Sequence, residues 1–132
     1  MRYRHLVLAV LEYRSESGHI PVREFVDALP VDQRDDYYAM VRDLTANDLD
    51  ASVNTRQIKG KLWELKVAQN RYFYVLFTVL ADKFLIILHA YRKQSQKAPK
   101  REIEVATKRM QRQLKIAEAL LRDAERKQKT RG

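Results

Sequence analysis

Between His89 and Arg101 the chain reads His-Ala-Tyr-Arg-Lys-Gln-Ser-Gln-Lys-Ala-Pro-Lys-Arg, with five Lys or Arg and no acidic residue. Such a run suits anion chemistry, because guanidinium and ammonium groups donate hydrogen bonds to phosphate and neutralise its charge. Pro99 marks a helix start, so Lys100 and Arg101 fall in the first turn. There a cation meets the positive end of the helix dipole at a cost of about 0.3–1 kcal/mol each, which Glu102 and Glu104 partly offset. Free helix amides beside these cations read as a phosphate cradle. The plainer alternative is a solvated basic turn. Arg71 follows a turn-like Gln69-Asn70, and Lys59, Lys61 and Lys66 lie on or before the neighbouring strand. One sheet face or rim is thus expected to collect Lys66, Arg71 and Arg92, unless Arg71 pairs with Glu64 or Asp82 instead. His89 shares strand parity with Ile87 and Leu85, which marks it as a candidate core histidine.

Other chemistries find no footing. Glycine stands only at positions 18, 60 and 132, so no Walker loop or dinucleotide fingerprint can be written. The chain has no cysteine, and His5, His19 and His89 are far apart without metal-ligand spacing. No metal and no cofactor is expected. Ser95 lacks a nucleophile-elbow context. A carboxylate–histidine pair is not legible either. Catalysis would fall to Arg, Lys, Tyr, a carboxylate or a lone histidine.

The charge distribution supports a polyanion partner. The net charge of +9 conceals two unlike halves: residues 1–50 carry 6 basic and 10 acidic side chains, and residues 51–132 carry 20 and 7. A basic face beside a neutral or acidic one is what phosphate binding with counterion release requires. With 132 residues, 45% of them hydrophobic, one domain with a real core is expected. The apolar runs Leu6–Leu11 and Tyr72–Ala81 are too short to span a bilayer, and the first reads as a strand rather than a leader. The expectation is a cytoplasmic protein with no membrane partner.

Several elements must position the basic groups. Residues 3–13 read as a strand. Pro21 opens a helix whose Val22, Phe25, Val26 and Leu29 follow at i, i+3, i+4 and i+7, ended by Pro30. A second helix starts near Asp32, with Tyr37, Met40, Val41 and Leu44 as its apolar face. The two form an αα-hairpin, closed by the polar stretch from Thr45 to Thr55. Strands over 61–68, 71–80 and 84–92 are joined by short turns and therefore pair antiparallel. Trp63, Leu65 and Val67 alternate with Leu62, Glu64 and Lys66, giving one apolar and one largely polar face. From Pro99 a long helix runs to about Lys127. Its apolar positions Ile103, Ala106, Met110, Leu114, Ala117, Leu121 and Ala124 recur at spacings of three and four. The expected fold class is α+β: a small antiparallel sheet with an N-terminal strand and αα-hairpin on one face, and a long C-terminal helix. Residues 1–112 form the domain. Residues 113–132 form a helical extension ending in a frayed basic tail, suited to a homodimer or hetero-oligomer contact.

Lys61-Leu62-Trp63-Glu64-Leu65-Lys66, Arg71-Tyr72-Phe73-Tyr74, Leu88-His89-Ala90-Tyr91-Arg92-Lys93 and the block from Gln96 to Ala106 resemble the toxins of the RelE/ParE superfamily, in particular its HigB-like, phage-related branch. The resemblance covers roughly residues 3–112, and its last block is the most specific. It implies the toxin of a type II toxin–antitoxin system, an endonuclease that cuts messenger RNA on the ribosome and is held inactive by a cognate antitoxin, often a helix-turn-helix protein. It also implies catalysis without a dedicated metal, by attack of a ribose 2′-hydroxyl on the adjacent phosphate. Carried over, Arg71 and Arg92 stabilise charge on that phosphate. Tyr91, or a lysine of depressed pKa, carries the proton. Lys93 and Lys97 position the backbone, with Lys59, Lys61, Lys66 and Lys100 completing the substrate contacts. The superfamily also implies an alternative, a non-catalytic or ParE-like protein that acts by binding a protein such as gyrase.

The acid-free run carries one quantitative expectation. Binding to RNA or ribosomes should weaken steeply as salt rises, because several phosphates are neutralised together. A filter-binding or fluorescence titration at stepped salt measures it, and a flat profile between low and moderate salt would remove the electrostatic argument.

Overall fold

A computed structural model of the chain describes residues 8–49, 53–94 and 99–131. Strand β1 (Ala9–Glu12) is followed by helices α1 (Pro21–Asp27) and α2 (Val31–Asn47). Strands β2 (Thr55–Lys59), β3 (Leu62–Val67), β4 (Asn70–Val79) and β5 (Asp82–Arg92) come next, then helix α3 (Lys100–Arg131). The five strands form one sheet in the order β1-β5-β4-β3-β2. The fold is α+β, with the helical hairpin on one face and the long C-terminal helix on the other, in the RelE-like manner the sequence led us to expect.

Local chemistry explains most element boundaries. Pro21 sits at the start of α1, where its missing N–H costs nothing, and Pro30 caps α2. Val22 and Val26 of α1 and Tyr37 and Leu44 of α2 are buried against Leu65, Tyr72, Tyr74, Leu85 and Ile87. On the opposite face Ala106 of α3, with Ile103, Met110 and Leu114 partly buried, covers Leu62, Phe73, Val75, Ile86 and Leu88. The alternation read on β3 holds: Leu65 joins the first cluster and Leu62 the second. Helix α3 has 32 residues, a length of about 48 Å.

Three details depart from the sequence reading. The sheet is mixed: β3, β4 and β5 pair antiparallel as expected, but β1 lies parallel to β5, with Val10 opposite Leu85. Short turns dictate antiparallel neighbours, whereas β1 and β5 are joined through α1, α2 and three strands, a connection long enough to bring them together parallel. Second, Thr55–Lys59 is a strand, pairing antiparallel with β3 inside a stretch read as largely polar. An edge strand with one apolar residue, Ile58, carries too little periodicity to be recognised. Third, the described part of the first strand is only Ala9–Glu12, and residues 3–7 of the expected strand lie outside the described residues.

The most consequential irregularity lies in β5. Phe73 is opposite His89 but Tyr74 is opposite Ile87, so Leu88 is an extra residue in the ladder, a β-bulge. Leu85 and Ile87 pack toward the α1–α2 side, and Ile86 and Leu88 toward α3. The bulge reverses the parity, so Tyr91 joins the α3-side cluster and Ala90 the other. His89, stacked on Phe73 at 6.3 Å, shares the α3 face. The parity argument for a core histidine beside Ile87 is thereby corrected.

Leu85→Ala, at a fully buried position on a central strand, should lower the unfolding free energy by about 2–5 kcal/mol, while Leu80→Ala at an exposed turn should change it by less than about 0.5 kcal/mol. Urea denaturation measures both. Burial above all pushes the hydroxyl pKa of Tyr37, Tyr72 and Tyr91 well above the ordinary 10.0, with Glu12 reinforcing it at Tyr37 and Glu64 at Tyr91. The folded state therefore holds protons that the unfolded state loses above pH 10. This stability is fully present below that pH and falls as pH rises past it. An ultraviolet titration should show these rings ionising only with unfolding.

Candidate nucleic-acid interface

The α3 side of the sheet, beyond the start of α3, carries a polar pocket of ≈ 110 Å³ lined by Asn54, Arg56, Glu64, Lys66, Arg71 and Lys93. Sheet register assembles it. Arg71 opens β4 opposite Lys66 on β3 and opposite Tyr91 on β5. Arg56 on β2 is opposite Glu64 on β3. Lys93 is drawn in by a backbone bond from its N–H to the Gln69 carbonyl at 2.8 Å, and Lys66 is tied similarly to Asn54 at 2.9 Å.

At the floor lies a buried carboxylate. Glu64 is 3% exposed and accepts a hydrogen bond from the Tyr91 hydroxyl at 2.8 Å and another from Arg56 Nε at 3.0 Å. Burial and this carboxylate raise the Tyr91 pKa, against the opposing pull of Arg56 and Arg71. Tyr91 is therefore a protonated phenol at neutral pH, able to donate but not to act as a base. Its ring stacks on Phe73 at 5.4 Å.

Arg71 is 5% exposed, and its hydrogen bonds go to backbone carbonyls and not to Glu64 or Asp82. Its Nη1 donates to the carbonyls of Ala68 at 2.9 Å and Asn70 at 3.0 Å. Ala68 has φ +55°, a left-handed conformation that costs a non-glycine residue about 1–2 kcal/mol. The guanidinium thus braces the β3–β4 turn with one nitrogen while lining the pocket.

The remaining sequence-selected residues are dispersed. Arg92 is exposed at the end of β5 and paired with Asn70, whose side chain meets Gln33 of α2. Alternation therefore puts Arg92 on the α1–α2 side, and the expectation that it shares a face with Lys66 and Arg71 is corrected. Lys59 and Lys61 are exposed at the β2–β3 hairpin tip. Along β3, Lys61 is roughly 17 Å from Lys66. Lys100 is exposed at the first position of α3. Lys97 lies outside the described residues, as does Ser95.

Sequence reasoning missed Asn54 and Arg56, because β2 went unrecognised, and saw Glu64 only as a partner for Arg71. It also missed a carboxylate–histidine pair: His89 Nε2 is 2.5 Å from Glu102 Oε2. Arg109 Nη1 donates to the Leu88 carbonyl at 3.0 Å and lies 3.1 Å from His89 Nδ1. Burial, and secondarily Arg109, lowers the His89 pKa below its ordinary 6.5, against the pull of Glu102. Glu102 is 13 residues from His89, and in sequence it is legible only as a charge that offsets the helix dipole. Among the described residues, no group of three His, Cys, Asp or Glu is placed to hold a metal ion, and no helix is long and apolar enough to cross a membrane.

A buried carboxylate and phenol ringed by four cationic side chains suit a phosphodiester and a proton transfer beside it. No curated protein matches the chain. Residues 24–111 match the family described as Phage derived protein Gp49-like (DUF891), a span that contains every described residue of the pocket and two thirds of the sequence. The chain belongs to this phage-derived Gp49-like family, a RelE-like family of the toxin–antitoxin type.

Proposed function

We propose that the protein is a HigB-like messenger-RNA endonuclease that works on the ribosome in the cytoplasm, without a metal, and is neutralised by a cognate helix-turn-helix antitoxin. The observation that carries this reading is the pocket that surrounds the Glu64–Tyr91 pair with Arg56, Lys66, Arg71 and Lys93. A scissile phosphate seated there receives hydrogen bonds from Lys66, Lys93 and the part of the Arg71 fork not spent on the turn. These charges stabilise the extra negative charge that builds on phosphorus as the 2′-hydroxyl attacks and the bond to the 5′-oxygen breaks. Tyr91, kept protonated by burial and Glu64, suits the acid that protonates the leaving 5′-oxygen. Glu64, the carboxylate of the same pocket, suits the base that takes the 2′ proton. Arg92, Lys59, Lys61, Lys97 and Lys100 serve better as contacts to the RNA on either side than as partners of the scissile phosphate.

Expression alone should arrest bacterial growth, and co-expression of the cognate antitoxin should restore it. Purified protein should cut messenger RNA on translating ribosomes. Glu64→Gln and Tyr91→Phe should each lose roughly a hundredfold or more in cleavage rate, and Lys93→Ala should also lower the salt slope of binding by about one. Arg71→Ala should lose at least as much as Glu64→Gln, and Arg71→Lys should recover little because a point charge cannot copy the planar fork. Circular dichroism on each variant separates lost chemistry from a lost β3–β4 turn. Full activity in a folded Glu64→Gln, Tyr91→Phe double variant would falsify the site assignment. Growth arrest with gyrase inhibition and no RNA cleavage would move the protein to the ParE-like class.

A further inference from the structure

Beside the pocket, on the same sheet face, lies a polar cluster that the proposed chemistry leaves unused. Helix α3 is tied down by three side chains within its first four turns, Glu102, Arg109 and Arg112. Glu102 meets His89 at 2.5 Å. Arg109 meets the Leu88 carbonyl and His89 Nδ1. Arg112 donates to the Tyr13 hydroxyl at 3.3 Å and to the Arg14 carbonyl at 2.9 Å. Tyr13 also takes the guanidinium groups of Arg109 and Arg112 at 5.4 and 5.6 Å from its ring centre.

This geometry determines the state of His89. A guanidinium has five donors and no acceptor, so the contact with Arg109 requires a lone pair on Nδ1. The imidazole proton must then sit on Nε2, where it donates to Glu102. A second proton, on Nδ1, would turn an N–H against the N–H of a fixed cation. The groups facing the ring are Glu102 and Arg109 from α3 and Phe73 from β4, with Leu88 beside it on its own strand. Both ring nitrogens are engaged within the protein. Neither is left to exchange a proton with RNA.

Taking the endonuclease reading as its basis, we infer that His89 is a positioning residue and not the acid or base: held as the neutral Nε2–H tautomer between Glu102 and Arg109, it clamps the first turns of α3 to the sheet and thereby sets where Lys100 and Arg101 stand relative to the Glu64–Tyr91 pocket. The bulge at Leu88 makes the clamp possible, because it both turns His89 toward α3 and frees the Leu88 carbonyl for Arg109. The burial that lowers the His89 pKa works in the same direction, keeping the ring neutral at pH 7.

The test uses substitutions that separate a hydrogen-bonding role from a proton-carrying one. Gln can place an amide N–H near the position of Nε2 and so keep the bond to Glu102, but it cannot carry a proton. His89→Gln should therefore stay within about threefold of wild-type cleavage. His89→Ala should lose about tenfold or more, mostly through a raised KM, as misplaced binding groups would. The shape of the pH–rate profile should be unchanged in both. His89→Gln as inactive as His89→Ala, with one limb of the profile gone, would overturn the inference and make His89 a proton carrier. A second readout does not depend on cleavage. Nitrogen-15 NMR of the wild type should show His89 neutral, with its proton on Nε2, from about pH 6.5 to about pH 8. Amide exchange at residues 102–106 should quicken in His89→Ala but not in His89→Gln. A charged ring or an Nδ1–H tautomer at neutral pH, or exchange unmoved in His89→Ala, would refute the clamp. Wild-type protein that holds the clamp by NMR yet cuts no RNA would instead refute the endonuclease reading and leave the clamp standing as structure.

Discussion

The extra residue at Leu88 reverses the side-chain parity of the last strand, and the candidate site depends on that reversal. In a regular ladder a shift of one residue exchanges the two faces of every later position. Here Leu85 and Ile87 fill the α1–α2 core, while His89 and Tyr91, of the same parity in sequence, emerge under α3. Without the bulge, Tyr91 would be directed at the hydrophobic side of the helical hairpin, away from Glu64. The same irregularity exposes a backbone carbonyl that Arg109 uses, so one defect in hydrogen-bond pairing serves both the pocket and the attachment of the helix beside it.

A second constraint concerns charge. Burying a carboxylate without donors costs several kcal/mol, and Glu64 is buried on a strand whose neighbours are mostly apolar. Its two oxygens are met by a phenol and a guanidinium, and Lys66, Arg71 and Lys93 stand around it. The arrangement holds an excess of positive charge in an open pocket while keeping one proton on Tyr91. Arg71 joins this electrostatics to the backbone. By donating to the Ala68 carbonyl it supports a turn in an unfavourable conformation, so the turn that sets the β3–β4 register and the cation that faces the pocket are stabilised by the same side chain.

The two faces of the sheet thus have different tasks. The α1–α2 side is a hydrophobic core in which Tyr37, Tyr72 and Tyr74 contribute large apolar surface. The α3 side begins as core, under Ala106 and Met110, and ends as a polar basin beyond the helix start. Helix α3 marks the boundary between them. Its attachment through Glu102, Arg109 and Arg112 adds directional, electrostatic bonds to the apolar packing of Ala106 and Met110, and therefore specifies position as well as contact.

Local information in the sequence determined the helical hairpin, the three antiparallel strands and the long last helix, because proline placement, short turns and apolar periodicity act over a few residues. It also determined that the positive charge is concentrated in the second half, since net charge survives any folding, and Lys66, Arg71, Tyr91 and Lys93 were all recognisable as candidates. Tertiary structure alone decided which candidates meet. The parallel pairing of β1 with β5, the edge strand β2 that brings Arg56, and the bulge that turns His89 toward Glu102 all arise from contacts between distant segments. Arg92 shows the same limit from the other side: it is adjacent to Tyr91 in sequence, yet alternation sends it to the opposite face. A motif records which groups are present, but a sheet assigns them to faces by register, and register is set by the energy of the whole packed core.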